Sequence, residues 1–172
     1  SRVKQTTQFV VGASGETDSE IVKYTWALYR RLNLQRVYFS AYQRGAGDNS
    51  LPGEYSNLTN EEMLTREHRL YQTDFLFRKY GFTEKEITFD SSGHLPLDAD
   101  PKEVWAKAHP EFFPLNINKA DPMELLRVPG LGHVTVDLIM KLRSEGRIRS
   151  MYDLGRVGKR LGKAAGYMEF GL

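Results

Sequence analysis

The residues best placed to do chemistry are Val128-Pro129-Gly130-Leu131-Gly132, a turn of proline and paired glycines between two short apolar-patterned segments. A chain builds a helical hairpin this way, and the second helix then starts with bare backbone amides. Partial positive charge gathers at a helix N-terminus, and glycine lets another backbone come within hydrogen-bonding distance. The chemistry on offer is anion capture, with phosphate as the natural guest.

Basic charge gathers beside this turn. From Lys141 to Lys163, eight Lys and Arg stand against Glu145 and Asp153, a local balance of +6 in a chain whose net charge is +2. Lys and Arg contacts to phosphate release counterions whatever the base sequence, so Lys141, Lys159, Arg160 and Lys163 are candidate contacts. A solvated helix face would have the same composition.

Elements must position these groups, and 172 residues suffice for one good core or two small domains. With 40% hydrophobic and 27% charged residues the chain reads as an ordinary globular protein. It has neither a run of about 18 apolar residues nor a signal-peptide pattern, so a cytoplasmic protein that does not enter a membrane is expected. The absence of cysteine excludes disulfides and any thiolate-held iron–sulfur cluster within these residues.

Thr6 to Val11 is rich in β-branched and aromatic residues and reads as a strand. Gly12-Ala13-Ser14-Gly15-Glu16 follows as a glycine loop, and Thr17 with Glu20 makes a capping box. Ile21, Tyr24, Thr25, Leu28, Tyr29 and Leu32 then recur at helical spacing, with Asn33 as the stop. Arg36 to Tyr42 is a second strand, completing a βαβ unit, and two parallel strands alone make no stable sheet. The unit reads as severed from a larger domain whose upstream strands would precede Ser1; alternatively, its open edge would pair with a second copy.

Residues 45–59 read as an irregular loop, followed by a helix from about Asn60 to Tyr80 with Thr59 and Glu62 as its capping box. Leu64, His68, Tyr71, Phe75 and Leu76 give it an apolar stripe, which makes His68 structural. Glu67 and His68 point about 100° apart, so with Asp74 they build no metal or acid–base site. A short strand is expected over Glu86 to Phe89, a helix over Asp98 to Ala108 begun by Asp98 or Asp100 with Pro101 at its first position, and an extended linker from His109 to Pro114. Trp26, Trp105, Phe112 and Phe113 are assigned to the core. Asp121, Pro122 and Glu124 open the hairpin's first helix, Pro122 to Arg127; the second should run from about His133 to Glu145 and stop at Gly146. Ser150 with Asp153 begins a third helix to about Arg156, and a fourth is expected near Gly162 to Phe170.

The apolar-Pro-Gly-apolar-Gly pattern, followed by Thr135, Val136, Leu138 and Ile139 and preceded by Asn116 to Asp121, resembles the helix-hairpin-helix modules that bind DNA without sequence preference. That resemblance implies phosphate held beside Gly130 by the amides of Leu131, Gly132, His133 and Val134, with the Thr135 hydroxyl as a further contact; many members carry a basic residue where this chain has Val134. A hairpin that packs only against protein is the competing reading. The second hairpin, Val157 to Lys163, has glycines at a different spacing and would act by charge or as a structural partner. A base-excision glycosylase would place a catalytic aspartate about twenty residues downstream, near Asp153, but the capping box already accounts for that residue.

Phe9-Val10-Val11, the Gly12 to Thr17 loop and Val37 to Arg44 together resemble the fifth and sixth strands of the radical S-adenosylmethionine (SAM) barrel, with Ser14 where that loop often has proline. Adding Leu64 to Gln72, the His109 to Pro114 linker, the hairpin and the basic tail, nearly the whole chain resembles the C-terminal part of radical SAM proteins assigned to DNA modification or repair. The resemblance implies a mainly helical α+β chain: residues 1–50 from the barrel, a helical linker region over 51–114 and a helix-hairpin-helix domain over 115–172. Backbone contact to double-stranded DNA is the implied function. No catalytic residue is implied here. SAM at Gly12, Ala13, Ser14, Gly15 and Glu16 defines an alternative, a SAM-binding catalytic fragment whose hairpin is only structural. The 4Fe–4S cluster, its cysteine loop and the remaining barrel strands would belong to the parent protein.

Overall fold

The computed structural model describes residues 3–45 and 48–171. Positions 1, 2, 46, 47 and 172, which fall in the predicted barrel segment, crossing loop and C-terminal domain, lie outside them. The fold is mixed and mainly helical, with six α-helices and two small sheets among the described residues. Two compact units divide at residue 101. Residues 51–101 group with the first, residues 102–114 with the second.

In the first unit β1 (Thr6–Val11) and β2 (Arg36–Ala41) pair in parallel, from Thr6 opposite Arg36 to Val11 opposite Ala41. The crossover helix α1 (Asp18–Leu32) starts at the Thr17 capping box, and Asn33 ends it in the left-handed conformation at φ 51°. Helix α2 (Asn60–Lys79) starts at the Thr59 box and packs on β2.

The buried face of α2 differs from the apolar stripe. Leu64, His68 and Phe75 are exposed; Met63, Arg66, Leu70, Thr73, Asp74 and Leu76 are buried. Side chains of α2, with Tyr29 of α1, seal the outer edge of β2, which apolar periodicity does not register. The Val37 amide donates to the Tyr29 hydroxyl at 2.9 Å, Phe39 to the Tyr71 hydroxyl at 3.0 Å, and Ala41 to Glu67 Oε2 at 2.7 Å. Tyr29 in turn donates to Asp74, which pairs with Arg78 at 2.7 Å. Burial, reinforced by the bond to Asp74, raises the Tyr29 hydroxyl well above the ordinary tyrosine range. On α1, likewise, Tyr24 and Leu32 lie exposed while Asp18 is buried.

No strand forms over Glu86 to Phe89. Thr83 and Glu86 close a capping box around a 3-10 turn, Glu84–Glu86, and that local bonding wins where no neighbouring strand offers a ladder.

The second unit, from Lys102 on, takes in α3 (Pro101–Ala108), whose first position is Pro101 as expected. Then come β3 (Leu115–Asn116), α4 (Pro122–Arg127), α5 (His133–Glu145), α6 (Lys159–Ala165) and β4 (Met168–Glu169). The helix expected after Ser150 is a 3-10 turn, Met151–Leu154, ended by Gly155 at φ 102°. The last helix lies earlier than Gly162 to Phe170, because the chain after Gly166 turns extended and β4 pairs in parallel with β3. Trp105 stacks on His109 and, with Phe112 and Phe113, forms an aromatic core that reaches Tyr167.

Candidate functional site

The turn between α4 and α5 follows from its composition. Pro129 and Gly130, the latter at φ 90°, occupy the central positions of a type II turn closed by the Leu131 amide on the Val128 carbonyl at 3.1 Å. The Leu131 amide is therefore engaged inside the turn, and its side chain is buried. Gly130 faces inward: a Cβ there would run into the Arg160 carbonyl of α6. Its lack of a side chain lets two hairpins seat against each other, bringing the basic start of α6 to the turn.

Beyond Leu131 the geometry changes. Gly132 is the extended N-cap of α5; it provides no side-chain cap, and the first turn contains no acidic residue. His133 and Val134 are exposed at this end, Val134 at 85% of its surface, with Thr135 partly covered beside them. Helix α6 begins in the same manner, with Gly158 as N-cap, no side-chain cap and no acid in its first turn. By contrast α1, α2 and α4 each start at a complete capping box and bring acidic residues into their first turns.

Not all of the basic stretch is available to a ligand. Arg143 donates to the Ala120 carbonyl at 2.6 Å and Arg147 to the Phe170 carbonyl at 2.8 Å, so both hold the unit together. Lys163 pairs with Glu103 at 2.5 Å, and that hydrogen bond keeps the Glu103 carboxyl below its ordinary range. Lys141 is exposed at 4.0 Å from Glu145. Lys159 and Arg160 are exposed on the first turn of α6.

The sequence matches no family model, and no curated protein or solved structure is significantly similar to it. The local geometry must therefore carry any functional reading.

Two residues that hold the hairpin were not singled out by sequence. Asn118 uses its side-chain amide as a strand would use a peptide, donating to the Ile148 carbonyl at 2.8 Å and accepting from the Ile148 amide at 3.0 Å. Lys102, buried, donates from Nζ to the Leu131 carbonyl at 2.6 Å. A lysine in the first turn of a helix opposes the helix dipole, and that mismatch was its available signal. Asp153 accepts the amides of Arg149 and Ser150 at 2.7 and 3.1 Å and is exposed. Those bonds lower its carboxyl below the usual range, as suits a cap.

The glycine loop of the first unit is built differently. Gly12, at φ 84°, donates its amide to Glu16 Oε1 at 2.6 Å, and the Ser14 hydroxyl donates to Glu16 Oε2. A carboxylate of the chain itself occupies the loop. Arg66 then binds the Glu16 carbonyl at 2.9 Å and the buried Asp18 at 2.6 Å, while Asp18 also accepts the Leu95 amide at 2.9 Å. A cavity of about 470 Å³ adjoins it, lined by Gly12, Ser14, Gly15, Glu16, Asp18 and His94 among others. Glu16 thus takes up the Gly12 amide and the Ser14 hydroxyl, two donors of the loop proposed for SAM. No group of three or more metal-ligating side chains occurs among the described residues, and no helix there is long and apolar enough to cross a membrane.

Proposed function

We propose that residues 102–172 bind the backbone of double-stranded DNA without sequence preference, through the amides at the start of α5 and the exposed bases Lys159 and Arg160. One observation carries the reading: the helices that follow the two glycine turns start without cap or acid, whereas α1, α2 and α4 are boxed and acidic. Helix starts left unneutralised are suited to an external anion, and α5 is long enough for its dipole to matter. Phosphate contact of this kind fixes position on a duplex and carries no base information.

The parallel β1–α1–β2 unit supports the companion proposal that the first unit is the end of a radical SAM barrel in a parent protein of DNA repair or modification. SAM and a 4Fe–4S cluster would be held there by residues outside this sequence. Among the described residues β1 pairs only with β2, so its other edge is suited to further barrel strands or to a second copy, whereas side chains seal the edge of β2.

Fluorescence anisotropy with duplexes of unrelated sequence tests the DNA reading. Affinities should agree between sequences and fall with salt, log K losing about 0.9 per phosphate contact for each tenfold rise. Replacing Gly132 by valine should abolish binding with the fold retained; undiminished affinity would remove α5 from the interface.

A further inference from the structure

Lys102 is unusual in two ways. It is buried, and it sits in the first turn of α3, where the helix dipole repels a cation. Its ammonium lies 2.6 Å from the Leu131 carbonyl, within the turn that precedes α5. The Leu131 amide is fixed as well, by the Val128 carbonyl at 3.1 Å.

The carbonyl of Leu131 and the amide of Gly132 belong to one planar trans peptide, in which C=O and N–H point in opposite directions. An ammonium that holds the carbonyl inward therefore turns the Gly132 amide outward. A cation on the carbonyl oxygen also draws electron density from the N–H, making it a stronger donor.

We infer that Lys102 is a positioning residue for anion capture: it aims and polarises the Gly132 amide without touching the phosphate. This rests on the DNA-backbone reading above and identifies what prepares its site. Because Lys102 is buried, it should neutralise no phosphate and release no counterion. A surface lysine such as Lys159 should do both.

The experiment compares the wild-type chain, Lys102→Met and Lys159→Met for binding of a fluorescein-labelled duplex across a salt series. The free-protein amide spectrum of Gly132 is recorded for each. Lys102→Met should weaken binding about tenfold at every salt concentration, leave the salt slope unchanged, and shift the Gly132 amide resonance before DNA is added. Lys159→Met should reduce the slope by about one contact and leave that resonance in place. Wild-type affinity in Lys102→Met, an unmoved Gly132 resonance, or a slope reduced as in Lys159→Met would each overturn the inference. If methionine at 102 prevents folding, Lys102→Gln, which keeps a neutral donor, is read by the same criteria. A wild-type chain that binds no duplex would instead defeat the DNA reading, and the Gly132 resonance would still decide whether Lys102 prepares that amide.

Discussion

The turns at Gly12 and Gly130 look alike in sequence and differ in what they leave for a ligand. Each has a glycine at positive φ whose missing Cβ makes room for packing, against Met63 in one case and the α6 backbone in the other. Each leads into a helix. The first turn is filled by Glu16, and its helix is boxed by Thr17 and carries Asp18 and Glu20 in its first turn. The helix after the second has no cap and no acid. A positive-φ glycine thus reports local packing, and the state of the helix start that follows says more about binding.

The largest way to break this contrast is at Asp18. Replacing it by asparagine leaves the buried Arg66 without its 2.6 Å carboxylate partner. Loss of one partner from a buried ion pair costs about 3–5 kcal/mol. Chemical denaturation should show that loss in the first unit, with duplex affinity of the folded protein unchanged.

Gly130→Ala comes next. The new methyl meets the Arg160 backbone, which cannot rotate away, on top of an unfavourable φ, so roughly 3 kcal/mol or more should be lost. Gly12→Ala is the matched control. There the methyl meets the flexible end of Met63, and about 1–2 kcal/mol is expected from the backbone alone. Equal losses at the two sites would mean that α6 does not rest on Gly130.

Thr17→Ala removes the cap of α1 and should cost about 1 kcal/mol, read as a lower thermal midpoint. The Thr17 amide, and after it the Thr17 hydroxyl at 3.0 Å, hold the Glu20 carboxyl below its ordinary range, and the alanine variant keeps only the amide. A carboxyl depressed on folding contributes above its unfolded pKa and loses that contribution as pH falls through the folded value. The difference between wild type and Thr17→Ala should therefore narrow in acid.

Much of this contrast was legible in the sequence, because capping and turns are decided within four or five residues. The Thr17, Thr59, Asp121 and Ser150 boxes, the Gly130 turn and the βαβ order are all local. What escaped depends on partners far along the chain. The buried face of α2 is defined by Arg66 reaching Asp18 and by Glu67 and Tyr71 reaching β2, so hydrophobic periodicity found Tyr71 and Leu76 but placed Leu64, His68 and Phe75 on the wrong side. The β3–β4 pair joins segments about fifty residues apart and is two residues long, too short for any pattern. Lys102 offered only its misfit with the start of a helix until the fold set its ammonium on the Leu131 carbonyl.

The smallest effect on stability is also the sharpest test of the comparison, because it makes the second helix start resemble the first. Val134→Glu places an acid in the first turn of α5, at a position already 85% exposed. A carboxylate there interacts favourably with the helix dipole and should raise stability by about 0.3–1 kcal/mol. The same charge would repel a phosphate approaching those amides, so duplex affinity should fall about tenfold, equivalent to about 1.4 kcal/mol. Stability and binding would then move in opposite directions, which a packing defect cannot produce. If instead the variant is stabilised and binds as tightly as wild type, the start of α5 is bare for a reason other than DNA, and the likeness of the two turns is the whole of their relation.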